Sequence, residues 1–303
     1  MKIINGSRFT KILVFIAIVV ILFSLIAATF NLDLFLRLYH AFQNGRLTME
    51  AVQYEIAAYD IRHPFPVAPE SSRVSPKDGM TQIYIPAGEF MMGNGNDQSA
   101  DNPQHHIYLY PYWMDKLEVT NAMYAKCLEA GACTHPALYD SYFRNWVYRD
   151  YPVVYVNWYQ ADQYCRWAGR TLPTEAQWEK AARGTDGRRY PWGNQPPNPR
   201  LVNFNMSLIG EPVPVFRYPL GASPYGVLNM AGNVREWIAD WYDENYYQSS
   251  PYANPAGPTT GTQRSLRSGS YAEDQQQISV YTRFKHLPDS AGLSRGFRCA
   301  ENP

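Results

Sequence analysis

Apolar and polar positions repeat in short bursts along most of the chain, and one long apolar run stands apart. Ile12 to Phe30 is uncharged and almost wholly apolar; as a helix it would extend about 28 Å, enough to cross a bilayer. Lys2, Arg8 and Lys11 precede it, and Asp33 and Arg37 follow. This bias predicts a cytoplasmic tail over residues 1–11, a single transmembrane anchor over 12–30, and a remainder outside the cytoplasm. A cleaved signal peptide processed near Ala27-Ala28 is the alternative, which the length of the run disfavours. Residues 31–79 read as stalk and linker: a mixed amphipathic stretch to about Ile61, then the Pro- and Ser-rich His63 to Gly79.

From Met80 onward the pattern is uniform, without internal repeats, and predicts one domain over residues 80–303. Gln82 to Ile85, Glu89 to Met92 and His106 to Tyr110 read as short strands. Thr120 can cap a helix from Asn121 to Ala130, with Gly131 as its stop. Asn157 can cap a second, in which Trp158, Ala161, Cys165 and Ala168 share a face. Thr174 and Gln177 form a capping box for a third, with Trp178, Ala181 and Ala182 on its apolar side and Gly184 at its end. Beyond that, Pro and Gly recur too often for long regular elements. The expectation is an α+β domain with little regular structure.

Composition narrows this picture. Lys and Arg number 27 and Asp and Glu 27, so net charge is zero and no electrostatic footprint for nucleic acid exists. The four cysteines, Cys127, Cys133, Cys165 and Cys299, are an even number in a chain predicted to reach an oxidising compartment. No Cys-x-x-Cys pair or His spacing supports zinc. Disulfides are therefore expected, although spacing alone leaves three pairings open.

Six motifs occur in order: Ile85-Pro-Ala-Gly-Glu-Phe-Met-Met-Gly93, Glu118-Val-Thr-Asn121, the run from Cys165 through Arg-Thr-Leu-Pro-Thr-Glu to Arg183, Tyr190-Pro-Trp-Gly-Asn194, Tyr225 to Trp237 (YGVLNMAGNVREW), and Gly296-Phe-Arg-Cys299. Together they resemble the sulfatase-modifying factor domain, the family of the formylglycine-generating enzyme. The resemblance implies a variant of the C-type-lectin-like fold. In copper-dependent members, two cysteines after a Gly-Ser-Tyr/Phe-type motif bind Cu(I) and activate oxygen, which oxidises a substrate cysteine to formylglycine. Here the segment after Gly269-Ser270-Tyr271 carries no cysteine before Cys299. The first of those positions falls near Glu273 and the second within Gln275 to Ile278. Cu(I) requires soft thiolates, so copper is not expected.

The resemblance also implies a disulfide between Cys165 and Cys299, and Cys127 with Cys133 would close a small local loop. It carries a calcium site onto Asn229, the carbonyls of Gly232 and Val234, and the Glu236 carboxylate, hard oxygen donors suited to that ion. The alternative for this stretch is a turn followed by a capped helix. A second family calcium site aligns with Asn203, but the loop that supplies its Asp ligand is shortened between Ile209 and Val215.

Other residues point to scaffold. His105 and His106, adjacent in a strand, face opposite sides. Trp158, Trp167, Trp178, Trp192, Trp237 and Trp241 suit a core, and Arg170, Glu179 and Arg183 suit a solvated or ion-paired face. The expected function is a membrane-anchored binding or accessory module without formylglycine-generating activity, recognising a protein or glycan. Its groove would lie around Gly269 to His286, with Glu273, Asp274, Gln275, Gln276, Gln277 and Arg283 as polar contacts. The alternative is an oxidoreductase of the same family with a divergent site.

Overall fold

Three capped helices form where the capping side chains stand. The computed structural model describes residues 71–95, 101–137 and 142–302. Helix α1 (Asn121–Glu129) is capped by Thr120, whose hydroxyl accepts from the Met123 amide at 3.2 Å. Asn157 and Gln160 close a capping box on α2 (Trp158–Trp167), and Thr174 and Gln177 do the same on α3 (Glu175–Arg183). Each box satisfies backbone N–H groups that a first helical turn leaves unpaired.

The strands are short and pair across long stretches of sequence. One sheet has the order β1 (Ser72–Val74), β2 (Thr81–Ile85), β5 (Tyr112–Asp115), β10 (Ala300–Glu301), antiparallel throughout. A two-stranded ladder joins β3 (Gly88–Met92) to β4 (His105–Leu109). A third sheet runs β8 (Phe284–His286), β7 (Arg264–Arg267), β6 (Arg235–Trp241), β9 (Arg295–Gly296), with β6 and β9 parallel. The core gathers Ile85, Met114 and Ile107 from the strands with Trp178 and Ala181 of α3 and Val280 of a loop. Each of the larger aliphatic side chains among them contributes roughly 1.5–3 kcal/mol on burial.

Two boundaries differ from the sequence reading. The chain divides into two units, Met1–Phe65 and Pro66–Pro303. The predicted tail, the anchor Ile12 to Phe30 and most of the stalk lie outside the described residues, among which no helix is long and apolar enough to cross a membrane. Part of the predicted linker belongs to the folded domain, because β1 pairs with β2 through Arg73 and Gln82. Asp78, in that same segment, is ion-paired with Arg170 inside the protein. The structured domain therefore starts before Met80.

The second difference is at Asn229 to Glu236, where the turn leads into strand β6 and not into a helix. Trp237 settles the choice by facing Leu266 across the ladder and donating its indole N–H to the Val156 carbonyl at 3.0 Å. Trp158, Trp178 and Trp237 are buried as expected, whereas Trp167, Trp192 and Trp241 are only partly so. Arg170, Glu179 and Arg183 are ion-paired but buried, the solvated alternative being wrong for all three.

Candidate functional site

The turn at Asn229 to Asn233 is held in left-handed backbone, with φ of 55° at Asn229, 70° at Gly232 and 61° at Asn233. Gly232 is required on a second count, since a Cβ there would lie 2.2 Å from the Asn203 carbonyl oxygen. The Asn229 amide donates to Glu118 at 2.8 Å and to the Val215 carbonyl at 2.6 Å, and Asn233 also donates to Glu118. Burial, with Glu236 close by, pushes Glu118 up to about 8.

These contacts bear on the calcium expectation. Glu236 accepts from Arg298 at both carboxylate oxygens, 2.7 Å each, and from the Trp178 indole at 2.7 Å. All three side chains are fully buried. The Gly232 carbonyl accepts from the Ser268 hydroxyl at 3.0 Å. A carboxylate held at both oxygens by a forked arginine is not a free oxygen donor, whereas a carbonyl with one hydrogen bond keeps a second lone pair. In this structure Asn229, Gly232 and Glu236 are committed to bonds that hold the turn, and calcium binding by these residues with Val234 is a matter for the chelator measurement. Among the described residues there is also no group of three or more His, Cys, Asp or Glu able to hold a metal.

The segment after Gly269 is folded tightly on itself. Gly269 has φ of 71°, and a Cβ there would come within 2.9 Å of the Gln277 carbonyl. Glu273 is buried; it accepts from the Ser270 amide at 2.5 Å and from the Ser270 hydroxyl, and it pairs with Arg235. Asp274 accepts from the amides of Gln276 and Gln277 at 2.8 and 3.0 Å, closing a turn that leaves Asp274, Gln275, Gln276 and Gln277 exposed. The Gln275 carbonyl accepts from Tyr190 at 2.8 Å.

Arg283 is not on this surface. It is buried, forms a fork on Glu175 with both bonds at 2.9 Å, and lies over the Tyr242 and Tyr247 rings. Burial alone would raise Glu175, but Arg283 and Arg267 hold it below its ordinary value. Arg267 also pairs with Glu179, which pairs with Arg183 at 2.7 Å. Of the six groove residues expected, four are presented to solvent, while Glu273 and Arg283 are tied to internal arginine and glutamate partners. Arg235, which sequence reasoning passed over, is the cation that holds Glu273. Its only signal was a charged residue beside an apolar strand in Asn233-Val-Arg-Glu-Trp237.

All four cysteines are paired. Cys165 joins Cys299 across 134 residues, and Cys127 joins Cys133 across six. In the chain-entropy model these loops are worth about 4–5 and about 2 kcal/mol. The His105 ring packs 4.8 Å from Tyr247 while His106 points outward.

Short sheets bridged by capped helices, a long-range disulfide and a tightly turned Gly-Ser-Tyr segment define a domain of the formylglycine-generating-enzyme type. The sulfatase-modifying factor enzyme 1-like domain matches residues 67–303, and the chain belongs to that family. It is 33% identical over 301 residues to the formylglycine-generating enzyme of Streptomyces coelicolor, covering 79% of this chain and 95% of that protein. It is 33% identical over 254 residues to the serine/threonine-protein kinase pkn1 of Chlamydia caviae, covering 78% of this chain but only 40% of the length of that relative. The structure of PvdO from Pseudomonas aeruginosa shares the fold, with a TM-score of 0.67 at 23% identity, covering 77% of this chain and 98% of PvdO.

Proposed function

We propose that this chain is a membrane-anchored, extracytoplasmic member of the family that lacks formylglycine-generating oxidase activity and acts as a binding or accessory module on a C-type-lectin-like scaffold. The observation that carries this reading is the commitment of every cysteine in the chain to a disulfide. No thiolate remains to bind Cu(I) in the manner of the copper-dependent members. Glu273 stands near the first thiolate position, and its carboxylate is neutralised by Arg235. The exposed Asp274 to Gln277 turn, on a rigid support, is suited to recognition of a protein or glycan. The apolar run Ile12 to Phe30 supports the single-pass anchor, and two disulfides suit an oxidising compartment.

The alternative, an oxidoreductase with a divergent site, draws on the 33% identity to the Streptomyces coelicolor enzyme. The two separate in one assay. The full chain, incubated with Cu(I), oxygen and a cysteine-containing sulfatase-type peptide, is expected to leave that cysteine unchanged by mass spectrometry. Conversion to formylglycine would overturn the proposal. Retention of a glycan or partner protein by the immobilised chain, lost when Asp274 to Gln277 are replaced by alanine, is the expected positive result.

A further inference from the structure

Arg235 and Arg295 are register partners on the parallel strands β6 and β9, so their side chains leave the same face of the sheet. That face also carries Trp237 and Phe284. The Arg235 guanidinium lies 4.2 Å over Phe284 and that of Arg295 lies 6.0 Å from the Trp237 ring centre. Both arginines are half-buried.

One carboxylate serves the two. Glu273 pairs with Arg235. Arg295 donates to the Ala291 carbonyl at 2.6 Å and forms no ion pair among the described residues. The Nε of each arginine is buried without an acceptor among those residues. The Nη2 of Arg295 passes close over Gly292, where a Cβ would fall 2.6 Å away. Burial and the neighbouring Arg235 both push its basicity down, yet a guanidinium stays charged. His286 completes the cluster. Its Nδ1 accepts from the Leu287 amide at 3.0 Å, which leaves Nε2 as the donor of the neutral ring. Burial, Arg295 and Arg235 hold its pKa below the ordinary value, against Asp289, a second carboxylate near the cluster, which acts to raise it.

A half-buried guanidinium with no carboxylate partner keeps donors to offer a ligand, and its fork is matched in shape to an oxyanion. We propose that Arg295, with Arg235 and His286, forms a binding site for an oxyanion, a carboxylate or a tetrahedral phosphate or sulfate group. Phe284 supplies an apolar wall for whatever carries that group. The proposal rests on the reading of residues 270–286 as a recognition surface, but its test measures anion binding directly and is independent of peptide conversion.

The test is calorimetric titration of the full chain with sodium phosphate, sulfate and acetate, each against chloride at matched ionic strength. Saturable one-to-one binding of at least one oxyanion is expected. Tighter binding of phosphate or sulfate identifies a tetrahedral group, and tighter binding of acetate identifies a carboxylate. Arg295→Leu should weaken binding at least about tenfold, and Arg295→Gln, which keeps a donor for the Ala291 carbonyl, should do the same if the leucine variant does not fold. Arg188→Gln, which removes an arginine paired with Asp186 elsewhere, should leave affinity unchanged. No saturable binding by any of the three anions, unchanged affinity in both Arg295 variants, or an equal loss in Arg188→Gln overturns the site.

Discussion

Glu118 and Glu175 are both buried carboxylates, yet their surroundings drive them in opposite directions. Burial and Glu236 raise Glu118 to about 8 from 4.5. Its folded pKa exceeds its unfolded one, so its contribution to stability is complete below pH 4.5 and is lost as pH rises toward 8. Arg283 and Arg267 lower Glu175, whose contribution is present above its unfolded pKa and lost as pH falls through the folded one. The thermal midpoint measured between pH 5 and 9 is expected to decline with pH, with Asp115 and Asp240, raised by burial to about 7 and about 8, acting in the same direction. Glu118→Gln should make that decline shallower; parallel profiles would refute the role given to Glu118. Glu273→Ala strands the half-buried Arg235 and should cost about 2–3 kcal/mol by urea denaturation, against under about 1 kcal/mol for Asp274→Ala on the exposed turn. Residue identity gave no warning of this split. Glu273 and Arg283 read as ligand contacts because charge is visible in a sequence and its partner is not. Glu175, the partner of Arg283, is 108 residues away.

At the scale of elements, local chemistry was legible and pairing was not. The helix starts at Thr120, Asn157 and Thr174 could be read because a cap depends on a side chain and an amide three residues on. Strand β6 was missed because its partners lie far along the chain, Glu236 facing both Arg267 and Gly296. Strand β1 faces Gln82 only 9 residues on from Arg73, but three residues in a Pro- and Ser-rich stretch leave no alternation to read. The Cys165–Cys299 link was legible only through the family motifs, since spacing allowed three pairings. Thr174→Ala should cost about 1 kcal/mol, as one cap. Replacing Cys165 and Cys299 together by alanine should cost about 4–5 kcal/mol, and replacing Cys127 and Cys133 about 2 kcal/mol. Chemical denaturation of the two double variants checks the order, and equal losses would mean that loop length does not govern them.

For the whole molecule, the domain depends on a segment read from sequence as linker. Arg170 is clamped between Asp78 and Asp115, whose second oxygen accepts from the Cys299 amide at 2.9 Å. A chain beginning at Met80 loses β1 and one of these two carboxylates, and should be less stable than one beginning at Pro66 by about 3–5 kcal/mol. Limited proteolysis of the two forms should show faster cleavage of the shorter. A chelator should leave the thermal midpoint of the full chain unchanged, because Arg298 already neutralises Glu236; a drop reversed by calcium would restore the calcium site. The order of the thiols has its own consequence. Synthesis runs from Cys127 toward Cys299, so Cys165 is made long before its partner, while Cys133 follows Cys127 after six residues. If Cys127 and Cys133 close first, no other thiol of the chain is left to pair with Cys165 before Cys299 is made. A Cys127→Ala chain, with Cys133 left unpaired, is therefore expected to show a Cys133–Cys165 peptide by mass spectrometry, and its absence would mean that the order of closure does not matter.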